Sequence, residues 1–152
     1  MKYEFNEHEV KLQSLTTFCN DMKGKLEQSK IDEISKEFLL SDKKDFYGAK
    51  FVLTCYILYA SLEVVLDNNV TFDGSADTLG TPGKGEYLGT VYTSNYDELI
   101  DNTDSFWHAS NVTTSIIMFF NKNNSFLGSF VGAGLSTVVS TGAGKGRWAP
   151  TE

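Results

Sequence analysis

The spacing of apolar residues changes once along this chain, near residue 46, and this change most limits its possible fold. Before residue 46 apolar side chains recur every three or four residues, whereas beyond it they tend to alternate with polar ones. Helices bury one face with a period of about 3.6 residues and strands with a period of two. The sequence therefore predicts a helical extension over residues 1–45 and an all-β domain over residues 46–152.

The second part of the chain contains about eight runs rich in β-branched and aromatic residues, which are typical of strands. These runs are Ala49–Val65, Val70–Thr78, Glu86–Thr93, Ser105–Ser110, Thr113–Phe120, Ser125–Gly132, Leu135–Ser140 and Gly144–Trp148. Turn residues separate several of them, and 12 of the 13 glycines lie in this part. Many short strands with close turns are typical of a closed antiparallel barrel or a sandwich. The bulky alternate residues would fill the interior of an eight-stranded barrel.

One stretch, Thr93–Thr103, interrupts the strand pattern and predicts a short helix. Ser94 is the expected N-cap, and Asp97 and Glu98 suit the positive end of the helix dipole in the first turn. Leu99 would face inward. We expect this helix to connect two strands of the domain.

The segment Glu7–Leu40 predicts two amphipathic helices. Its apolar residues at helical spacing are Leu12, Leu15, Phe18, Cys19, Met22 and Leu26, followed by Ile31, Ile34 and Phe38. The expected break lies at Gln28–Lys30, where Ser29 and Asp32 resemble a capping box. The stripe, which includes Phe18 and Met22, could dock a partner or another copy of the chain. Packing on the β domain is the favoured interpretation.

The first β run suggests where these helices pack. One face of the run carries the alternate residues Phe51, Leu53, Cys55, Ile57 and Tyr59. The other face carries Val52, Tyr56 and Leu58, so both faces are apolar. Because short helices need packing to be stable, we expect the helical extension to cover this second face.

The charge of the chain disfavours several classes of partner. The net charge is −7, and from residue 48 onward five basic residues stand against ten acidic ones. Nucleic acids are bound through Lys and Arg at phosphates, so we expect no nucleic-acid partner. No window approaches the ~18 apolar residues of a membrane span, and the first residues lack the pattern of a Sec signal peptide. We expect a soluble protein, either cytoplasmic or exported by another route.

The sequence predicts no catalytic residue, no metal and no cofactor. His8 and His108 are the two histidines, and no Gly-x-Ser-x-Gly elbow accompanies them. Cys19 and Cys55 lack the spacing of a zinc site or a disulfide framework, which favours free buried thiols. The stretch Asp67–Asp77 lacks the bidentate glutamate of a calcium loop.

Part of the sequence resembles a known family. The relevant stretches are, in order, TFDGSADTLGTPGKGEYLGTVYTSNYDEL, FFNKNNSFLGSFVGAGLSTVV and GAGKGRW, which lie between Thr71 and Trp148. They resemble the core of the Rhodococcus virulence-associated proteins, the Vap family. The resemblance covers about Phe46–Trp148, and the helical segment stands where the family has a polar N-terminal region.

The resemblance implies a closed eight-stranded antiparallel Greek-key barrel with one short helix and a packed interior. Family members are secreted virulence factors that disturb endolysosomal maturation in host phagocytes, are not known as enzymes, and in some cases associate with membranes. It therefore implies a non-enzymatic protein that acts through its surface in bacterium–host interaction. The alternatives are an intracellular interaction module with the same barrel and a small-ligand-binding barrel.

Four aromatic and apolar residues form the candidate interaction surface: Trp107, Trp148, Phe18 and Met22. Tryptophan is enriched at interface hot spots, although both tryptophans could instead fill the ends of the barrel, which is the favoured interpretation. The partner implied by the resemblance is a host protein or a membrane. We expect the chain itself to be a monomer.

The glycine-rich stretch around Lys145 looks like a phosphate-binding loop but does not have its pattern. A P-loop needs a glycine, four residues and then Gly-Lys-Ser/Thr ahead of a helix. Here Gly146 follows Lys145, and Val139 stands in the place of the leading glycine. Lys84 in TPGKGEY fails in the same way. We therefore predict a strand at this position and no nucleotide partner.

Replacing Lys145 tests the conclusion about nucleotides. We expect Lys145→Ala to leave folding intact and ATP binding undetectable in both the variant and the wild type. Titration calorimetry with ATP and Mg²⁺ measures this. Tight magnesium-dependent binding by the wild type that the variant loses would refute the conclusion.

Overall fold

Eight antiparallel strands close into a barrel, and two of the three helices in the described part of the chain form a layer on its outside. The computed structural model describes residues 6–40 and 45–151. The helices are α1 (Glu7–Met22), α2 (Gln28–Leu40) and α3 (Tyr96–Asn102). The strands are β1 (Asp45–Cys55), β2 (Tyr59–Leu66), β3 (Val70–Gly80), β4 (Gly83–Thr93), β5 (Ser105–Ser110), β6 (Thr114–Phe120), β7 (Phe126–Ser136) and β8 (Ser140–Pro150). The predicted closed barrel with N-terminal helices is confirmed.

The order of strands around the barrel is β1-β2-β3-β8-β5-β6-β7-β4, and β4 closes the ring against β1. Strands β1 to β3 are consecutive hairpins with β4 returning beside β1, and β5 to β8 repeat the arrangement. Each half therefore has the strand order of a Greek key. Since neighbouring strands are antiparallel throughout, all odd strands run in one direction and all even strands in the other.

Aromatic rings fill the interior of the barrel. Phe51 stacks on Tyr87 with 5.5 Å between ring centroids, and Phe72 packs edge-on against Phe106 and Phe119 at 5.6 and 5.0 Å. Each of these side chains is at most 1% exposed. Burying a Phe side chain stabilises a fold by about 1.5–3 kcal/mol, so these rings contribute a large share of the barrel's stability. Of the predicted inward face of the first run, Phe51, Leu53 and Cys55 are buried, whereas Ile57 and Tyr59 lie beyond the end of β1 and are exposed.

Two predicted runs do not correspond to single strands in the structure, and most of the others differ from the strands by a few residues at their ends. Ala49–Val65 is not one strand, because the chain turns at Tyr56–Leu58 and returns as β2. Leu135–Ser140 is not a separate strand, because β7 continues to Ser136 and a turn leads into β8. The pairing of Leu135 with Glu86 keeps the end of β7 in the sheet.

Helix ends also differ from the prediction at two places. The break between α1 and α2 lies at residues 23–27 rather than at Gln28–Lys30, and Gly24 there has a φ of 86°. Ser29 is therefore inside α2 and does not cap it. Helix α3 is capped by Asn95 instead of Ser94, because the Asn95 side chain accepts a hydrogen bond from the Glu98 amide.

The helical layer, α1 and α2, packs on β5, β6 and β7. The expectation that it covers the outer face of β1 was wrong, since Tyr56 and Leu58 are exposed. Buried residues of the interface are Phe18, Ile34 and Phe38 from the helices and Trp107, Ile116, Met118, Phe120 and Val131 from the barrel. The run SIIMFF in β6 is apolar at every position after its serine, so β6 needs cover on both faces and attracts the helices.

A buried lysine joins the helical layer to the barrel. Lys11 in α1 is 2% exposed, and its ammonium nitrogen lies 4.8 Å from the ring centroid of Phe38 in α2. The same nitrogen lies 5.8 Å from the ring centroid of Tyr92 in β4. Cations are attracted to the faces of aromatic rings, so Lys11 connects three elements.

The packing of the helical layer predicts a large effect of one substitution. Phe18→Ala removes a ring that is 1% exposed and should lower the free energy of unfolding by about 3 kcal/mol, as buried Phe→Ala changes do. Leu12→Ala on the same helix, where the side chain is 44% exposed, should cost less than about 1 kcal/mol. Urea denaturation measures both values. Equal effects would show that α1 does not dock as described.

Candidate functional site

Three of the four predicted surface residues come together between the helical layer and the barrel. The rings of Phe18 and Trp107 meet edge-on with centroids 5.2 Å apart, and Met22 packs beside them. The Trp107 indole N–H donates to Asp21 Oδ2 at 2.8 Å. These side chains line an apolar crevice of about 230 Å³ together with Leu26 and other residues of the interface.

Trp148 lies apart from the other three, inside the barrel. Its ring centroid is 5.3 Å from those of Phe72 and Phe119, and the side chain is buried. Phe18 and Trp107 are buried as well. A partner could reach these rings only after the helical layer or the barrel opened.

The two predicted histidines lie in different environments. His8 is on the exposed side of α1, whereas His108 is fully buried inside the barrel. His108 Nδ1 lies 3.3 Å from Ser110 Oγ, and Nε2 lies 3.5 Å from Ser140 Oγ. Burial lowers the pKa of His108 from 6.5 to about 4, so the ring is neutral at pH 7. A hydrolytic triad would need a carboxylate on the imidazole and a cleft for substrate, whereas both ring nitrogens here contact hydroxyl groups within the core.

The glycine-rich stretch around Lys145 is part of strand β8. It pairs with β3 on one side and with β5 on the other, so its amides belong to the sheet. Lys145 Nζ lies 3.4 Å from Asp104 Oδ2 at the surface. Within residues 6–40 and 45–151, acidic, histidine and cysteine side chains do not gather in groups of three that could hold a metal ion.

The two ends of the barrel differ in charge. Four loops meet at one end because they all follow odd strands, and they are Tyr56–Leu58, Thr81–Pro82, Asn111–Thr113 and Thr137–Val139. None of their residues is charged. We call these loops the uncharged end. At the opposite end lie Asp67, the α3 acids Asp97 and Glu98, and Asp104.

The uncharged end exposes apolar side chains. Tyr56, Ile57 and Leu58 are 61%, 50% and 67% exposed, and the neighbouring Tyr59 is exposed too. Val112 and Val139 add exposed aliphatic groups from two other loops. Exposed apolar side chains grouped in this way are typical of surfaces that bind another protein or a membrane.

Backbone groups at the uncharged end are hydrogen-bonded within the protein. The carbonyls of Ile57 and Leu58 accept from the amides of Gly80 and Thr78, both at 3.1 Å, and Tyr59 accepts from Tyr56. The Thr81 side chain accepts from the Val139 amide at 3.0 Å. Because these groups are already paired, the end can enter an apolar environment at a lower cost than an open loop.

Ile57 holds an unusual backbone conformation at the tip of the first loop. Its φ is 83°, which is strained for a β-branched residue. The sequence prediction missed this turn because Thr54–Ser61 contains no Gly, Asn, Asp or Pro. The 17-residue length of the run Ala49–Val65 was the available signal, since strands rarely exceed about 10 residues.

Comparison with models of protein families identifies the family of this chain. The model of the Rhodococcus equi virulence-associated protein family matches residues 4–149. The chain belongs to this family. The match includes the helical segment, which the sequence resemblance had left outside.

Two solved structures of the same family have this fold. The virulence-associated protein VapD of Rhodococcus equi matches with a TM-score of 0.67 and 26% identity, over 69% of this chain and 97% of its own. VapB of Rhodococcus equi matches with a TM-score of 0.64 and 28% identity, over 70% of this chain and 97% of its own. A comparison with curated protein sequences gave no significant match. Among the described helices of this family member, none is long and apolar enough to cross a membrane.

The strain at Ile57 predicts a stabilising substitution in this family member. Glycine adopts positive φ without steric cost, so Ile57→Gly should raise the free energy of unfolding by about 1 kcal/mol. Leu58→Gly is the matched control, because Leu58 has no positive φ and should gain no stability. Thermal and urea denaturation measure both. A loss of stability in Ile57→Gly would show that the tip is not strained.

Proposed function

We propose that this protein is a non-enzymatic virulence-associated factor that acts through its surface in bacterium–host interaction, with the uncharged end docking on a host endolysosomal membrane. Membership of the virulence-associated family supports the general role. The observation that carries the docking surface is the exposed, charge-free group of four loops at one end of the barrel.

The side chains of the uncharged end suit the boundary between lipid and water. Ile57 and Leu58 stand at the tip, and Tyr56 and Tyr59 flank them with stacked rings 5.8 Å apart. Tyrosine places an apolar ring and a polar hydroxyl across such a boundary. Burying the two aliphatic side chains contributes about 1.5–3 kcal/mol each.

The charge of the molecule favours an electrically neutral lipid surface. The net charge is −7, so anionic lipids would repel the protein. The loops at the uncharged end carry no charge, and α3 with its acids lies at the other end. A zwitterionic bilayer can therefore approach the uncharged end with little electrostatic cost.

The size of the uncharged end favours lipid over a protein partner. Its four loops contain 11 residues in total, whereas a stable protein interface uses about 20–30 residues on each side. Docking on a bilayer has no such lower limit. The alternative, an intracellular interaction module with the same barrel, would require a partner that also contacts the barrel wall. The filled interior of aromatic rings argues against a small-ligand carrier.

Vesicle binding tests the proposed function. We expect the full chain to sediment with phosphatidylcholine vesicles and Leu58→Asp to weaken this binding at least about tenfold, because a charge would enter the lipid boundary. Leu135→Asp is the matched control, since Leu135 is 83% exposed on β7 outside the uncharged end. It should bind as the wild type does.

Two results would contradict the proposal. One is a wild-type protein that does not sediment with the vesicles at any lipid concentration tested. The other is an equal loss of binding in Leu58→Asp and Leu135→Asp, which would point to general apolar adhesion.

A further inference from the structure

A buried polar cluster lies directly beneath the uncharged end. His108 points into the barrel from β5, where its ring nitrogens contact the hydroxyl groups of Ser110 and Ser140, and these two in turn contact the hydroxyl groups of Ser115 and Thr78. We call these five residues the histidine cluster. Ser110 lies 2.7 Å from Ser115, and Ser140 lies 2.7 Å from Thr78, measured between hydroxyl oxygens. All five side chains are less than 10% exposed.

Hydrogen bonds connect the histidine cluster to the exposed loops. Thr78 donates its amide to the carbonyl of Leu58 at the tip and also bonds Ser140 through its hydroxyl. Ser110 ends β5 and Ser115 lies near the start of β6, so they flank the loop Asn111–Thr113. Ser140 begins β8 after the loop Thr137–Val139. Hydrogen bonds and adjacent chain positions thus link His108 to three of the four loops.

The groups around His108 contain no described counter-ion for a protonated ring. The Tyr87 hydroxyl from β4 lies beside the cluster, where it donates to the Asn111 carbonyl at 2.7 Å, and the Cys55 thiol is buried at the end of β1 next to the loop Tyr56–Leu58. Burial raises the pKa of Tyr87, so its phenol stays neutral. Asp77 and Lys84 are exposed on β3 and β4. Glu7, His8 and Glu9 belong to the first turn of α1, outside the barrel wall.

We infer that the histidine cluster is an acid-sensitive latch that holds the uncharged end closed at neutral pH and opens it when His108 takes up a proton. This inference rests on the proposed function, because the opened end is the surface that docks on lipid. An imidazolium ion needs water or a carboxylate, and the hydroxyl groups of the cluster supply neither a charge nor full solvation. The loops that flank the cluster are the route by which water would enter.

The direction of the pH effect follows from the two states of His108. In the closed barrel burial holds the pKa of His108 at about 4, whereas in an opened end it returns towards 6.5. As pH falls from 6.5 towards 4, the open form therefore takes up the proton first. The closed form then becomes less stable relative to the open form. The equilibrium constant for opening should rise about 20-fold between pH 7 and pH 5.

Opening would strengthen contact with lipid. The interior next to the cluster is apolar, with Ala60, Ala76 and Val138 buried near the loop ends. Separation of the loops exposes this surface beside Ile57 and Leu58. Docking on a bilayer should therefore increase at the acidity of a maturing endolysosome, where histidine switches commonly operate.

Three measurements on the full chain test the latch. The ring signals of His108 in NMR should titrate well below pH 6.5. Hydrogen exchange, corrected for the intrinsic pH dependence, should accelerate in the four loops between pH 7 and pH 5. Binding to phosphatidylcholine vesicles should increase severalfold over the same interval.

Two variants identify the responsible group. His108→Gln keeps donors and acceptors for the serine hydroxyls but cannot take up a proton, so its loop exchange and vesicle binding should be the same at pH 7 and pH 5. His8→Gln, at the exposed histidine of α1, should respond to pH as the wild type does. If His108→Gln does not fold, the ring titration and loop exchange of the wild type decide the question.

The outcomes separate the latch from the proposed function. A ring that titrates near pH 6.5 in the folded protein, or a His108→Gln variant that keeps the pH response, overturns the latch. Equal vesicle binding and equal loop exchange at both pH values overturn it and leave the proposed function standing. Loop exchange that accelerates in the wild type but not in His108→Gln, without vesicle binding at either pH, supports the latch and refutes the proposed function.

Discussion

The burial of β6 on both faces is the constraint on which the rest of the structure depends. All seven residues of this strand are buried. Ile117 and Phe119 face the barrel core, whereas Ile116, Met118 and Phe120 lie under α1 and α2. The barrel therefore needs the helical layer to keep this outer face from water, and helices of 16 and 13 residues need the barrel because they are marginal alone. Two segments with different sequence patterns therefore bury their apolar faces against each other.

The fold class could be predicted because the period of apolar residues is a local property that each strand and helix shows separately. The strand number was correct although two runs did not correspond to single strands: Ala49–Val65 contains two strands, and Leu135–Ser140 contains no separate one. The first error arose because the turn at Tyr56–Leu58 lacks the usual turn residues. The second arose because pairing with β4 extends β7 to Ser136. The face covered by the helices was missed because it depends on which strands become neighbours.

The candidate site was harder to predict than the fold. Phe18, Met22 and Trp107 pack against each other between the helical layer and the barrel, so the cluster is largely internal, and their role as an interaction surface stays a prediction. The uncharged end consists of four loops spread over more than 80 residues of sequence. Each loop visibly lacks charge, yet only the alternation of strand direction places all four together. The burial of His108 likewise depends on which face of β5 points into the barrel. The neighbouring residues in the sequence SFWHAS do not indicate it.

The helical layer covers the outer face of β5, β6 and β7, whereas nothing in the described structure covers the uncharged end. This contrast indicates that the exposed apolar residues at the uncharged end are not simply residues that the fold failed to bury. The same chain uses a helical extension to cover Trp107, Met118 and Phe120, although charged side chains on that face would have sufficed for solubility. At the tip, by comparison, Ile57 occupies a backbone conformation with a φ of 83°, where glycine would be less strained. Strain of this kind persists only where the surrounding structure fixes it, and it clusters at functional sites. An apolar side chain held outward at the end of a charge-free surface is what contact with a lipid boundary requires.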